Sequence, residues 1–103
     1  MKYKIEFSNF AKADLIQTKN YLSQFYPGTV KRFIDEFNKH KRIIEESPHA
    51  FPIHRHVPQC RHFSVKDYIV FYHVIDQTQR VEIYRILRGS CDIPRHTKKE
   101  DNQ

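Results

Sequence analysis

Residues 68–75, with the sequence YIVFYHVI, decide the fold of this chain because they form an almost continuous apolar and aromatic run. A short run of this kind is typical of a strand at the centre of a sheet, covered on both faces. Weaker alternation predicts a second strand at 60–66, joined to the central strand by a tight turn at Lys66-Asp67. A third strand is predicted at 80–87, after a turn at 76–79. Three consecutive strands with such short connections predict an antiparallel meander.

The segment that precedes this meander begins with a strand and continues as two helices. Residues 3–7, YKIEF, alternate apolar and polar side chains, which is the pattern of a half-buried strand. Ser8 then offers an N-cap for a first helix, which Pro27-Gly28 ends. Thr29 is the predicted N-cap of a second helix, which Ser47-Pro48 ends. The short turn between them predicts an antiparallel helical hairpin.

Each predicted helix carries one apolar stripe. In the first helix the stripe is Ala11, Leu15, Thr18, Leu22 and Phe25, and in the second it is Val30, Phe33, Ile34, Phe37 and Ile44. Both stripes predict burial between the helices and the sheet. The order β-α-α-β-β-β therefore predicts an α+β fold, in which an N-terminal helix hairpin packs on an antiparallel meander sheet that the first strand joins.

The chain is predicted to hold one domain, residues 1–96, followed by a polar tail at 97–103. Its 103 residues leave room for a single core. Residues 48–59 contain three prolines and three histidines, which predicts an irregular connection. Asp92-Ile93-Pro94 predicts the start of a short last helix.

The composition excludes several classes of protein. No apolar run approaches the ~20 residues that a membrane span needs, and the N-terminus lacks the apolar region of a secretory signal. Two cysteines are too few for a disulfide scaffold, so a reduced cytoplasmic location is expected. Two glycines cannot build a glycine-rich phosphate loop. The formal charge of +6 suits an anionic partner without identifying it. We expect no membrane association and no cofactor.

Histidines gather in and after the irregular connection, at His49, His54, His56 and His62, with Cys60 among them. Their spacing lacks the paired cysteine or histidine knuckle of a structural zinc site. We therefore expect surface histidines here and no metal.

The last predicted strand carries the arginines that a binding surface would use. Strict alternation places Arg85 on one face of this strand with Val81 and Ile83. A guanidinium among apolar neighbours needs a partner, such as Glu6 or Asp92, or an open groove. This pattern predicts either a structural ion pair or a cationic groove.

The stretches YIVFYHVID at 68–76 and VEIYRILRGSCDIP at 81–94 resemble the ParE/RelE superfamily of toxins from type II toxin–antitoxin systems. The resemblance extends over about residues 3 to 96. It implies a small cytoplasmic toxin and a cognate antitoxin that wraps an extended amphipathic segment over it. It also implies assembly, either as a homodimer or as a toxin–antitoxin hetero-oligomer.

Members of this superfamily have two separate activities. RelE-like toxins cleave mRNA in the ribosomal A site without a metal, whereas ParE-like toxins poison DNA gyrase and block replication. The nuclease branch commonly carries arginines at the positions that match Ile69 and Cys91, so both residues depart from it. The closing segment instead resembles the ParE pattern G-x-x-D-I/L-P after an arginine-rich strand, although Cys91 departs from that pattern too.

The resemblance therefore favours a ParE-like, non-enzymatic gyrase inhibitor, with growth arrest and plasmid stabilization as its consequences. A ribosome-dependent mRNA endoribonuclease is the alternative, and a non-toxic module that only binds its antitoxin is a third. The target-binding residues implied by the first are Arg61, Arg85 and Arg88. The catalytic residues implied by the nuclease alternative are Arg61, His62, Arg85 and His96, of which the histidines would move protons and the arginines would hold the phosphate.

Antitoxin binding is predicted on the helical hairpin. The residues at spacings that suit an amphipathic partner are Leu15, Leu22, Phe33 and Phe37.

Overall fold

The computed structural model describes residues 2–89 and shows two helices on one face of a five-stranded sheet. In chain order the elements are β1 (Lys4–Phe7), α1 (Asn9–Leu22), α2 (Thr29–Glu46), β2 (Ile53–His54), β3 (Val57–Val65), β4 (Tyr68–Ile75), a 3-10 turn (Asp76–Thr78) and β5 (Arg80–Arg88). The predicted α+β fold is confirmed. The predicted last helix, the tail at 97–103 and His96 lie outside the described residues.

The sheet has the strand order β1-β5-β4-β3-β2, so the apolar run at 68–75 occupies the middle strand. β3, β4 and β5 pair antiparallel, which confirms the predicted meander. β1 pairs with β5 in parallel, with Lys4 opposite Arg80 and Phe7 opposite Ile83, so the sheet is mixed. Parallel neighbours cannot be joined by a tight turn, and here the chain between β1 and β5 comprises the two helices and the strands β2 to β4.

The helix boundaries differ in part from the predicted ones. Ser8 caps α1 as predicted, since its hydroxyl accepts a hydrogen bond from the Ala11 amide at 3.0 Å. However, α1 ends at Leu22, well before Pro27-Gly28. The N-cap of α2 is Gly28 rather than Thr29, and its φ of +89° is left-handed, a conformation that glycine adopts without steric cost.

The core lies between the helices and the sheet, and α2 supplies most of its helical side. Phe33, Phe37 and Ile44 are buried, as their stripe predicts, and the rings of Phe33 and Tyr68 meet edge to face at 5.6 Å. In contrast, the predicted burial of Phe25 is wrong. Its side chain is 51% exposed because the chain has already left the helix at Leu22.

The connection from α2 to β3 is less irregular than the sequence predicts. It contains β2, and β3 begins at Val57, three residues before the predicted start. The buried hydroxyl of Tyr72 donates to the Pro48 carbonyl at 2.8 Å, and Arg61 donates to the Phe51 carbonyl at 2.7 Å. These bonds attach the connection to the centre of the sheet.

Replacement of Tyr72 by phenylalanine removes the hydroxyl that holds Pro48. Burial raises the pKa of Tyr72 to about 12, so the phenol is neutral and acts as a donor at ordinary pH. We expect Tyr72→Phe to lower the free energy of unfolding by about 1–2 kcal/mol, because the Pro48 carbonyl loses its partner. Tyr26→Phe is the matched control, since Tyr26 is 80% exposed. Urea denaturation measures both, and an equal effect of the two changes would contradict this role of Tyr72.

A second attachment of the same connection depends on pH. Asp76 accepts hydrogen bonds from the Tyr3 hydroxyl at 2.7 Å and, at the same oxygen, contacts His49 Nε2 at 3.1 Å. The bond from Tyr3, followed by that from His49, lowers the pKa of Asp76. The stabilisation is therefore complete above the unfolded pKa of about 4 and is lost as pH falls through the lower folded pKa.

We expect Asp76→Asn to lower the melting temperature at pH 7 and to lose its effect progressively below about pH 4. Thermal melts of the wild type and the variant between pH 3 and pH 7 measure the difference. A difference that stays constant over this range would show that the charge of Asp76 is not responsible.

Candidate functional site

A groove of about 650 Å³ lies between α1 and the C-terminal end of β5. Its lining includes Thr18, Tyr21, Tyr68, Arg85 and Arg88, which present guanidinium groups and hydroxyls. Two of the predicted target-binding arginines therefore meet in one place. Groups of this kind bind anions such as carboxylates and phosphates.

Asp14 holds this groove together. The pairing of β1 with β5 ends at Phe7 opposite Ile83, and α1 covers the next part of the β5 edge. There the Asp14 carboxylate accepts from Arg85 Nε at 2.7 Å, from Arg85 Nη2 at 3.1 Å and from the Ile86 amide at 3.0 Å. One side chain thus satisfies a buried amide of the edge and positions a guanidinium in bidentate geometry.

Arg85 pairs with Asp14, which was not among its predicted partners. Of those two, Glu6 lies 3.4 Å from Arg80, and Asp92 is outside the described residues. The predicted apolar stripe of α1 did not include Asp14, although this residue falls at helical spacing between Ala11 and Thr18 and is buried with them. A carboxylate at a buried helical position requires a hydrogen-bond donor. Only the tertiary packing shows which residue supplies that donor.

A β-bulge at Tyr84 overturns the predicted faces of the last strand. Tyr72 pairs with Ile83, but the preceding Phe71 pairs with Arg85, so Tyr84 is the extra residue. As a result Val81, Ile83 and then Ile86 are buried, and strict alternation fails.

Arg88 lies at the other end of the groove and stacks on an aromatic ring. Its guanidinium carbon is 4.8 Å from the centre of the Tyr21 ring, which is a cation–π distance. Burial raises the pKa of the neighbouring Tyr68 phenol, while the charge of Arg88 lowers it. The net shift is upward, so Tyr68 remains a neutral hydroxyl next to the arginine.

Arg61 and His62 lie away from this groove, on β3, and point to opposite faces of the sheet. Arg61 is opposite Tyr72 and donates to the Phe51 carbonyl. His62 is opposite Phe71 on the outer face, the face turned away from the helices, where its ring lies 4.7 Å from that of His54.

The centre of the outer face combines apolar side chains with His73, whose Nε2 lies 3.8 Å from Cys60 Sγ. Cys60 and Phe71 are buried there, and Ile69, Tyr84 and Leu87 pack against them. Burial raises the pKa of the Cys60 thiol, so it remains protonated. Within residues 2–89 no three histidine, cysteine or acidic side chains are placed to hold a metal ion.

Comparison of the sequence with known protein families shows the family to which the chain belongs. The sequence model of the "ParE toxin of type II toxin-antitoxin system, parDE" matches residues 5–93. The chain belongs to the ParE toxin family. No curated protein matches the toxin in sequence.

Solved structures of toxins from both branches share its fold. The chromosomal ParDE system of P. aeruginosa matches with a TM-score of 0.67 at 16% identity, over 84% of this chain and 96% of that chain. The RelBE2 toxin–antitoxin complex of Mycobacterium tuberculosis matches with a TM-score of 0.59 at 19% identity, over 85% and 99%. The isolated E. coli RelE toxin matches with a TM-score of 0.61 at 16% identity, over 96% of each chain. At these identities the likeness concerns the fold alone.

The four predicted antitoxin-binding residues of the toxin differ in how deeply they are buried. Phe33 and Phe37 are fully covered by the sheet, whereas Leu15 and Leu22 are half-buried. The apolar residues that α1 and the hairpin loop expose are different ones, namely Phe10, Ile16, Tyr21, Phe25 and Tyr26. In the described part of the toxin, no helix is both long enough and apolar enough to cross a membrane.

Replacement of Asp14 tests the central ion pair. Asp14→Asn removes the negative charge shared by Arg85 and the Ile86 amide, and we expect it to lower the free energy of unfolding by about 2–3 kcal/mol. Asp35→Asn is the control, because Asp35 pairs with Lys31 at 2.9 Å on an exposed surface, where such a pair contributes about 0.5 kcal/mol. Urea denaturation compares them, and similar losses would contradict the special role of Asp14.

Proposed function

We propose that this toxin acts by binding DNA gyrase, so that the enzyme's cleaved-DNA intermediate persists and replication stops. The family assignment supports a toxin of a type II toxin–antitoxin system. The fold does not choose between activities, since ParE and RelE structures match it with similar TM-scores. The choice depends on where the chemically active side chains lie.

The observation that carries the proposal is the separation of the three candidate nuclease residues that lie within residues 2–89. Arg61 is bound to the carbonyl of Phe51 on the helix-facing side, His62 lies on the outer face, and Arg85 is bound to Asp14 at the β5 edge. Metal-free RNA cleavage requires a base, an acid and cations around a single phosphate. His62 and Arg85 lie in line across β3, β4 and β5, but the Arg85 guanidinium is bound to Asp14 and Arg61 lies on the other face, which favours a binding function over catalysis.

The environment of Ile69 agrees with this interpretation. In the resemblance to the nuclease branch, an arginine stands at this position. Here Ile69 packs in an apolar cluster with Phe71 and Leu87 on the outer face. The Ile69 side chain offers no charge to a scissile phosphate.

The proposal assigns target binding to Arg85 and Arg88 in the groove. Arg61 lies away from the groove and donates to the Phe51 carbonyl. A cognate antitoxin would neutralise the toxin in the cytoplasm by covering the helical hairpin, where Leu15 and Leu22 are half-buried. Phe33 and Phe37 would support that surface from beneath.

The test is a gyrase cleavage assay with purified toxin, gyrase, ATP and supercoiled plasmid, stopped with detergent and protease. We expect linear plasmid to accumulate with the toxin and not without it. His62→Gln should give the same amount of linear plasmid as the wild type, because His62 has no role in the proposed mechanism.

Two other results would overturn the proposal. Cleavage of messages in a translating extract, lost in His62→Gln and accompanied by no linear plasmid, would establish the endoribonuclease. Normal thymidine and methionine incorporation in cells that accumulate the folded toxin without antitoxin would establish a non-toxic binding module.

A further inference from the structure

The turn of the helical hairpin exposes aromatic side chains that the core does not use. Residues 23–28 are all exposed, and Phe25 and Tyr26 are 51% and 80% exposed. Together with Tyr21, Arg32 and Arg88, these two residues form what we call the hairpin-tip surface. Exposed aromatic and arginine side chains are the residue types that dominate protein–protein binding energies.

The rings of this surface are fixed by contacts on several sides. Tyr21 lies 4.8 Å below the Arg88 guanidinium and meets the Phe25 ring edge to face, with centroids 5.1 Å apart. Because Arg88 belongs to the end of β5, the sheet and the hairpin turn are joined at this point. The surface is therefore continuous with the groove that Arg85 and Arg88 line.

The backbone of the turn is also ordered by hydrogen bonds. The Phe25 amide donates to the Leu22 carbonyl at 3.1 Å, and the Thr29 hydroxyl donates to the Tyr26 carbonyl at 2.7 Å. The exposure of the aromatic rings thus belongs to a defined turn. A pre-ordered surface loses little conformational entropy on binding.

The hairpin tip carries an excess of positive charge. The sequence contains no aspartate or glutamate from residue 15 to residue 34, whereas Lys19 and Arg32 lie within this range, together with Lys31, which pairs with Asp35 at 2.9 Å. The Arg32 guanidinium lies against Gly28 in the turn, 3.4 Å from the place that a Cβ would occupy. An acidic surface is the electrostatic complement of this region.

The geometry favours a folded protein over a nucleic acid or a peptide. Arg88 lies over the Tyr21 ring and Phe25 meets this ring edge to face, so these side chains pack on one another and do not form separate platforms for successive bases. A peptide is usually received by a groove or a sheet edge. A convex turn instead fits a concavity on a larger partner.

We infer that the hairpin-tip surface is the part of this toxin that inserts into an acidic concavity of its protein target. This inference rests on the proposed function and names the surface through which it operates. Phe25 and Tyr26 supply the apolar contact area. Arg32 and Arg88 face the acidic residues of the target.

The experiment compares variants at the tip with a matched control elsewhere. Phe25→Ser/Tyr26→Ser removes the exposed rings, and Arg32→Glu reverses an exposed charge without touching the core. Ile43→Ser/Ile53→Ser removes two residues that are 45% and 53% exposed on other elements. Gyrase affinity, linear plasmid formation, growth arrest and the melting temperature are measured for each.

We expect both tip variants to melt within a few degrees of the wild type and to lose about tenfold or more in gyrase affinity and linear plasmid. The control should stay within about twofold of the wild type, as is usual for side chains outside a binding centre. The deficit of Arg32→Glu should grow at low salt, where repulsion by an acidic target is least screened.

The outcomes separate this inference from the proposed function. If the wild type yields no linear plasmid, the gyrase proposal fails, and growth arrest then tests the role of the hairpin-tip surface. Growth arrest that is lost only in the tip variants supports binding of this surface to another protein target. Tip variants that arrest growth like the wild type overturn the inference. It is also overturned if these variants lose neutralisation by the antitoxin while remaining toxic, or if their only defect is in binding naked DNA.

Discussion

The Asp14 carboxylate at the edge of β5 is the interaction on which the rest of this structure depends. β1 is only four residues long and pairs with the first half of β5. The second half needs another cover for its polar backbone groups, because an uncovered edge recruits other strands. The Ser8 hydroxyl donates to the Tyr84 carbonyl and Asp14 accepts from the Ile86 amide, so α1 provides this cover. The groove beside Arg85 exists because α1 is attached here.

Because α1 is attached through polar contacts, the two helices contribute differently to the core. α2 buries aromatic and aliphatic residues and supplies most of the helical side of the core. Fully burying each such side chain contributes about 2–3 kcal/mol. α1 buries Ala11, Asp14 and Thr18, so polar contacts hold much of its inward face. Apolar residues therefore remain on its outward face, where Phe10 and Ile16 are 62% and 61% exposed. α2 thus contributes most of the helical side of the core, whereas α1 presents apolar side chains at the surface.

The assignment of an activity depends on the distribution of cations around a shared fold. Structures of ParE and RelE toxins both match this sheet, so the architecture alone does not assign an activity. In this chain the outer face is apolar at Ile69, Phe71 and Leu87, whereas Arg85 and Arg88 line a groove next to α1. The proposed binding function depends on these arginines, which lie beside an exposed aromatic turn.

The sequence alone determined the architecture of this protein and its family. The apolar run at 68–75 specified the central strand, the period-two segments around it specified the meander, and the stripe of α2 specified the core. These signals are local, because periodicity is written into consecutive residues. The ParE/RelE resemblance was carried by the stretches 68–76 and 81–94, which include β4 and most of β5.

Only the tertiary structure decided how the site is built. The bulge at Tyr84 is a single extra residue in the pairing with β4, and it reverses the faces of the strand without any change in its composition. Asp14 and Arg85 are 71 residues apart, so the sequence shows a buried carboxylate and an arginine without showing that they pair. Phe25 satisfied the helical spacing but lies in the turn. In each case the position of a side chain depends on contacts between parts of the chain that are distant in sequence. These contacts exist only in the folded protein.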